Sequence, residues 1–265
     1  AGRPVKVIWT REEEIRHGYY RPPVEARIAG GLDADGRILA WRAEASGTSF
    51  FSASAGFNLT GFDDFAYDIP HKRVAWAGAT WPIPFGYVRA PGHNKFNFMV
   101  ETFVDELAAA AGVNPLDFRL QHLEGEARSL EVLSRVAALA DWDNPSVPGA
   151  QHGCSLTHWG TASPIAQVAE VSIAEDGTVT VHRVWAVADV GRVVHPDLVR
   201  SQVEGSVIYS LSTGLFGEIT LTDGAVDQSN FHDYPVLRMR RAPEVITELV
   251  ESTAAPGGVG ELAVG

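Results

Sequence analysis

Along the chain, apolar positions fall into two periods. "VEARIAGGLDADGRILAWRAEASG" alternates apolar and polar residues on either side of Asp33–Gly36, whose Asp-x-Asp-Gly supplies the left-handed residue of a tight turn, so a β-hairpin is predicted. A second hairpin is predicted in "PIAQVAEVSIAEDGTVTVHRVWAVADVG", turning at Glu175–Gly177 with Val, Ile and Ala on one face. Between them the period lengthens. "NFMVETFVDELAAAAGVNPLDFRLQHLEG" predicts two helices. The first places Met99, Phe103 and Leu107 on one face and ends at Gly112, and the second starts with Asn114 as cap and Pro115 in its first turn. A third helix follows in "SLEVLSRVAALADW". "HPDLVRSQVEGSVIYSLSTGLFGE" predicts another, with Pro196 in its first turn and Asp197 near the positive end of the helix dipole, and the remainder reads as strand, loop, strand.

Elsewhere the pattern is less regular. "GRPVKVIWTREEE" opens on a β-branched apolar run that predicts a buried strand, and the abrupt start and stop of the sequence read as a chain cut from something larger. From Ser46 to Gly61 neither period holds, and "YDIPHKRVAWAGATWPIPFGYVRAPG" breaks its short apolar runs with Pro and Gly, predicting long irregular loops. "DNPSVPGAQ" is the expected internal boundary, giving units over 1–142 and 153–265 joined by 143–152. The fold class is α+β, with mixed β-sheets flanked by helices.

Composition narrows the function. With 265 residues, 45% of them hydrophobic, the chain can bury a sizeable core, while a net charge of -12 argues against nucleic acid as a partner. The longest apolar candidate, "GSVIYSLSTGLFGEITL", is broken by glycines, small polar residues and Glu218, so no membrane-spanning segment is predicted. A single cysteine, Cys154, makes no internal disulfide and leaves the redox compartment open.

Four places could carry chemistry. In "APGGVGE" three glycines in four positions precede Glu261, which fits either a turn with a solvated carboxylate or a backbone shaped to pass close to a cofactor while presenting a base. Arg89 in "GYVRAPGHN" fits a surface turn or a contact to an anion or cofactor. In "QHGCSLTHW", His152, Cys154 and His158 lie close together without a common zinc spacing, leaving a buried thiol or a cysteine nucleophile. Asp189 and Gly191 in "VADVGRVVHPD" fit a strand-ending turn with a helix cap, or a place for phosphate or pterin oxygens.

The order of these motifs is more specific than any one of them. "YVRAPGHNKFNFMVETFVDELAAAAGVNPLDFR", "VADVGRVVHPDLVRSQVEGSVIYSLSTGLFGEI", "QSNFHDYPVLRM" and "APGGVGE", in that succession, resemble the molybdopterin-binding large subunit of the xanthine dehydrogenase and aldehyde oxidase family. The branch most similar is the isoquinoline 1-oxidoreductase beta subunit, whose members include molybdenum aldehyde dehydrogenases. The resemblance implies two molybdopterin-binding subdomains and an oxidoreductase that oxidises an aldehyde or hydroxylates an N-heterocycle with oxygen from water. By the same resemblance Glu261 is the base, and Arg89, Ala90, Gly92, Thr161, Ser163, Gly258, Val259 and Gly260 face the cofactor, with no side chain ligating metal. Asp189 and Gly191 match a "D-x-G" turn that supports the second subdomain, and His195 stands where an asparagine is commoner.

The implied cofactor is molybdopterin, in its cytosine dinucleotide form, with molybdenum. Its implied partners are the remainder of the large subunit and an iron-sulfur electron-transfer subunit, since one cysteine cannot hold a cluster. A "GGGFG"-type loop, a "QG"-type segment and the helix after the glutamate motif are absent, so the chain is expected to be the C-terminal part of such a subunit, inactive by itself. A non-catalytic interaction or assembly domain that keeps the fold is the alternative.

Overall fold

The computed structural model describes residues 2–48, 59–159 and 163–264. The apolar run at the start is not a buried strand. Val5, Val7, Ile8 and Trp9 are exposed, no strand among the described residues pairs with them, and the chain turns at once into α1 (Arg11–His17). Thr10 explains the switch. Its side chain accepts from the Glu13 amide, and Glu12, Glu13 and Glu14 fill the first turn, where unpaired amides favour negative charge.

The first hairpin forms as predicted, with β1 (Val24–Leu32) antiparallel to β2 (Ile38–Gly47). Gly36 takes φ +78, and Asp33 Oδ1 accepts from the amides of Asp35 and Arg37. β2 buries Ile38, Trp41, Ala43 and Ala45. Part of the stretch expected to be irregular, residues 49–58, lies outside the described residues. Further on, that expectation fails, because β3 (His71–Gly78) pairs parallel to β2 and completes a three-stranded sheet. Parallel pairing needs a long crossover, which no local turn signal announces.

Three helices follow: α2 (His93–Ala111), α3 (Pro115–Leu120) and α4 (Ala127–Ala140). Gly112 ends α2 in the left-handed region, and Asn114 caps α3 by accepting from the Leu116 amide. The buried face of α2 is rotated from the expected one. Phe96, Val100, Val104 and Leu107 are buried, while Met99 and Phe103 are only partly covered at its edge.

A four-stranded sheet then forms from β4 (Gln151–Trp159), β5 (Ser163–Ile173), β6 (Val179–Ala188) and, arriving later and parallel to β6, the strand Glu244–Leu249. β4 covers the His/Cys stretch, which spacing alone presents only as a cluster. Between β6 and the last strand lie α5 (Pro196–Phe216) and the short pair β7 (Leu221–Thr222) and β8 (Ala225–Val226), so the last strand is β9. His195 caps α5, its Nδ1 accepting from the Leu198 amide at 3.3 Å.

One apolar core draws on both sides of 143–152, joining Trp41, Phe96, Phe118 and Leu133 to Leu156 and Trp185. Inside it, Arg119 is fully buried and donates to Glu101 Oε2 at 3.0 Å and Asp105 Oδ1 at 2.5 Å, while Glu101 also accepts from Tyr67 Oη at 2.8 Å and the Leu156 amide at 3.0 Å. A second, smaller core packs Ile165, Val184, Val203, Val207 and Leu262 between the sheet, α5 and the C-terminal turn.

Candidate functional site

Arg89 and Glu261 meet. Arg89 Nε donates to the Gly260 carbonyl at 2.5 Å and Nη2 to Gln202 Oε1 of α5 at 2.9 Å, while the Ala90 amide donates to Glu261 Oε1 at 2.9 Å. Two loops 171 residues apart in sequence are thereby joined.

Local forces shape the first loop. Ala90 is fully buried at φ +61, a conformation unfavourable for a residue with a Cβ and held here by bonds on either side. Asn94 Nδ2 donates to the Arg89 carbonyl at 2.7 Å, and the Asn94 amide donates to the Ala90 carbonyl at 3.0 Å. At Gly92 a Cβ would lie 2.2 Å from the Thr60 carbonyl oxygen, so the glycine is required by the chain itself. Gly258 and Gly260 differ, for a Cβ there would meet open space. Their backbone is therefore open to close approach from outside.

The second loop hangs on the D-x-G turn. Arg128 grips Asp189, Nε to Oδ2 at 2.6 Å and Nη2 to Oδ1 at 2.8 Å, and these bonds hold that carboxyl below the usual carboxylate range. Asp189 Oδ1 accepts from the Gly191 amide at 2.9 Å. Gly191 sits at φ +71 with its Cβ position 2.1 Å from the Ala255 carbonyl oxygen, and the amides of Arg192 and Gly257 donate to Ala254 and Val190. Leu262, Ala263 and Val264 are buried, and Ser210 of α5 donates to the Val264 carbonyl at 3.1 Å. Glu261 is thus half-buried between anchored segments. Its Oε1 is engaged, and its Oε2 makes no hydrogen bond among the described residues. Val259 packs partly against the smaller core.

A histidine that the motifs do not single out lies beside them. His93, the first residue of α2, is 1% exposed, stacks on Trp159 with ring centroids 4.3 Å apart, and has Nε2 3.2 Å from the His158 carbonyl and 3.8 Å from Asp64. Because a carbonyl only accepts, Nε2 carries the hydrogen and Nδ1 is left bare, buried and without a partner. Trp159 pairs with Ser163, whose Oγ is also buried without a partner. Thr161, between them, lies outside the described residues. Orphaned polar atoms at one strand end are the signal; an isolated histidine in "PGHN" gives none.

Other candidates separate from this place. Cys154 lies within β4 and is buried in the main core, and burial pushes its thiol up to about 12, which disfavours the thiolate that a cysteine nucleophile needs. Trp76 packs against the main core, whereas Trp81 and Tyr87 are exposed.

Comparison with known proteins accounts for the architecture. Two descriptions of a molybdopterin cofactor-binding domain match, one over residues 1–123 and the other, more than half of the chain, over 101–243. The chain belongs to the molybdopterin cofactor-binding family of molybdenum hydroxylase large subunits. Its relatives include the beta subunit of isoquinoline 1-oxidoreductase from Brevundimonas diminuta, 35% identical over 98% of this chain and 35% of that protein. A nicotinate dehydrogenase subunit of Pseudomonas putida is 29% identical over 98% of this chain and 25% of its own. A membrane-bound aldehyde dehydrogenase (pyrroloquinoline-quinone) of Gluconacetobacter polyoxogenes is 28% identical over 98% and 38%. The chain therefore spans well under half the length of these relatives. Among solved structures, quinoline 2-oxidoreductase from Pseudomonas putida 86 superposes with a TM-score of 0.81 at 12% identity, over 97% of this chain and 59% of that one. The aldehyde oxidoreductase from Desulfovibrio desulfuricans superposes at 0.78 and 13%, over 97% and 47%. At these identities the structures share the fold. No helix among the described residues is long and apolar enough to cross a membrane.

Proposed function

We propose that this chain is part of a molybdenum hydroxylase large subunit that oxidises an aldehyde or hydroxylates an N-heterocycle, with Glu261 as its base. The observation that carries the reading is the 2.9 Å bond from the Ala90 amide to Glu261 Oε1, which brings the two motif loops together. The printed names of the relatives, an isoquinoline oxidoreductase, a nicotinate dehydrogenase and an aldehyde dehydrogenase, support the substrate class.

The residues fit an organic cofactor. Ser163 Oγ and His93 Nδ1 are orphaned at the end of β4–β5, and Gly258 and Gly260 present backbone with open space above it. Arg89, Ala90, Gly92, Thr161, Ser163 and the Gly258–Val259–Gly260 run would hold it, and we assign it as molybdopterin in the cytosine dinucleotide form. When bound, that group supplies the two-electron redox chemistry. Glu261 takes the proton: its Oε1 is oriented by Ala90, its Oε2 stays available, and the anchored loop fixes the carboxylate for transfer. Arg89 keeps the two loops in register through Gly260 and Gln202. The proposed electron acceptor is an iron-sulfur subunit, as the single cysteine of this chain cannot itself ligate a cluster.

Two measurements test this. Molybdenum and pterin nucleotide are expected in this chain when it is part of the whole subunit. In that subunit Glu261→Gln, which keeps an acceptor for Ala90, should retain the cofactor yet lower kcat by about 10²–10⁴. Unchanged activity in the variant would favour an assembly domain instead.

A further inference from the structure

Away from the Arg89–Glu261 contact, two cavities of about 570 and 490 Å³ adjoin one another, sharing Arg21, Tyr209, Thr213 and Gly217 in their walls. The larger is aromatic and apolar, with Tyr19, Tyr20, Val88 and Tyr234 around it. The smaller is bordered by Asn94, Lys95, Ser210 and Val264. These place the cleft directly behind the candidate site: Val88 precedes Arg89, Asn94 holds the Arg89 carbonyl, and Val264 closes the turn that starts at Glu261.

Charge makes this cleft unusual in a chain of net charge -12. The Nε–H of Arg21 is buried with no acceptor, and Arg21 has no ion pair among the described residues. Lys95 shares the smaller cavity, where burial and then the neighbouring Arg21 lower its pKa to about 8. Glu14 lines the larger cavity, but it pairs with Arg11 one turn earlier on α1. Two cations drawn into a partly buried cleft favour an anion between them.

The wall opposite is built rather than incidental, and it comes from "QSNFHDYPVLRM", the motif that the proposed function leaves without a role. Asp233 accepts from the amides of Ser229 and Asn230, at 2.9 and 2.8 Å, and from Ser229 Oγ. Asn230 Nδ2 donates to Glu12 of α1 at 2.5 Å, and the Leu237 amide to Ser212 of α5 at 3.1 Å. Tyr234 and Pro235 are thereby fixed in the wall.

We propose that this cleft binds a planar aromatic molecule bearing an oxyanion, its ring among Tyr19, Tyr20, Tyr209 and Tyr234 and its anionic group on Arg21 and Lys95. The site stands on the cavity and its cations; it rests on the proposed function only for which oxyanion fills it, a phosphate of the cofactor or a carboxylate of the substrate. Titrating this chain with pyrophosphate and, separately, benzoate while following amide NMR signals of residues 19–21, 94–95 and 209–217 tests it. At least one anion should shift them, with about tenfold weaker binding in Arg21→Gln and in Lys95→Gln, and with weaker binding at high salt. Pyrophosphate alone supports the cofactor's phosphate as the natural occupant, and benzoate alone a substrate carboxylate. No response to either, or equal binding by both variants and the parent, overturns the site while leaving the role of Glu261 untouched.

Discussion

His93 shows how much one side chain can report about its surroundings. Burial lowers the basicity of its ring, against the opposing pulls of Asp64, the His158 carbonyl and Glu261. Between the ordinary histidine value, about 6.5, and the lowered one, the unfolded chain binds the proton that the folded chain refuses, so stability rises with pH through that window. The contribution is complete above about pH 6.5 and is lost as pH falls. His93→Phe keeps a flat ring against Trp159 and cannot titrate. Thermal midpoints measured from pH 5 to 7 should therefore rise less steeply in the variant, though not become flat, because burial lowers His122 as well. Equal slopes would show that His93 is not held neutral in the fold. At the residue scale the sequence marks Glu261 and Arg89 through their unusual neighbours, but His93 carries no local mark; only its burial and its bare nitrogen single it out.

At the scale of elements, glycines separate turns that serve themselves from turns that hold another segment. Gly36 and Gly191 both lie at positive φ, +78 and +71. Around Gly36 a Cβ meets only Ala111 Cβ at 3.4 Å, so Gly36→Ala should cost about 1–2 kcal/mol, the strain of the left-handed backbone alone. At Gly191 the Cβ would stand 2.1 Å from the Ala255 carbonyl oxygen, and relief requires moving the loop that carries Glu261. Stabilities of the two variants, measured by urea unfolding, should differ by about 1–3 kcal/mol more, as for overpacking. In the whole subunit, Gly191→Ala but not Gly36→Ala should also lose activity. The hairpin turns were legible because their chemistry is local, Asp33 and Gly36 in one and Gly177 at φ +84 in the other. β3 and β4 were not, since their pairing depends on strands brought alongside from elsewhere.

Across the whole molecule, the Arg119 network decides whether the two sides behave as one. Glu101 lies on α2, Arg119 on α3 and Leu156 on β4, all tied through one buried carboxylate. Arg119→Met would leave that carboxylate without its cation, and removal of one partner of a buried pair costs about 3–5 kcal/mol. Unfolding followed by tryptophan fluorescence and by far-UV circular dichroism should shift together in the variant. Movement of only one signal would mean that the sides unfold separately.

The sequence by itself determined the elements whose signals are short in range: the helix cap at Asn114 and the first-turn proline Pro196, the two hairpin turns, and the succession of motifs that points to the molybdopterin-binding family. It misjudged Val5–Trp9, since an apolar β-branched run becomes a buried strand only if something covers it. Tertiary structure alone decided that the Ala90 amide meets Glu261, that Asp189 and Arg128 brace the loop between, and that Arg21 and Lys95 share a cleft with tyrosines from three segments. Periodicity and turn chemistry act over a few residues, whereas these contacts join groups 60 or more residues apart, and their positions follow from how two sheets and α5 pack.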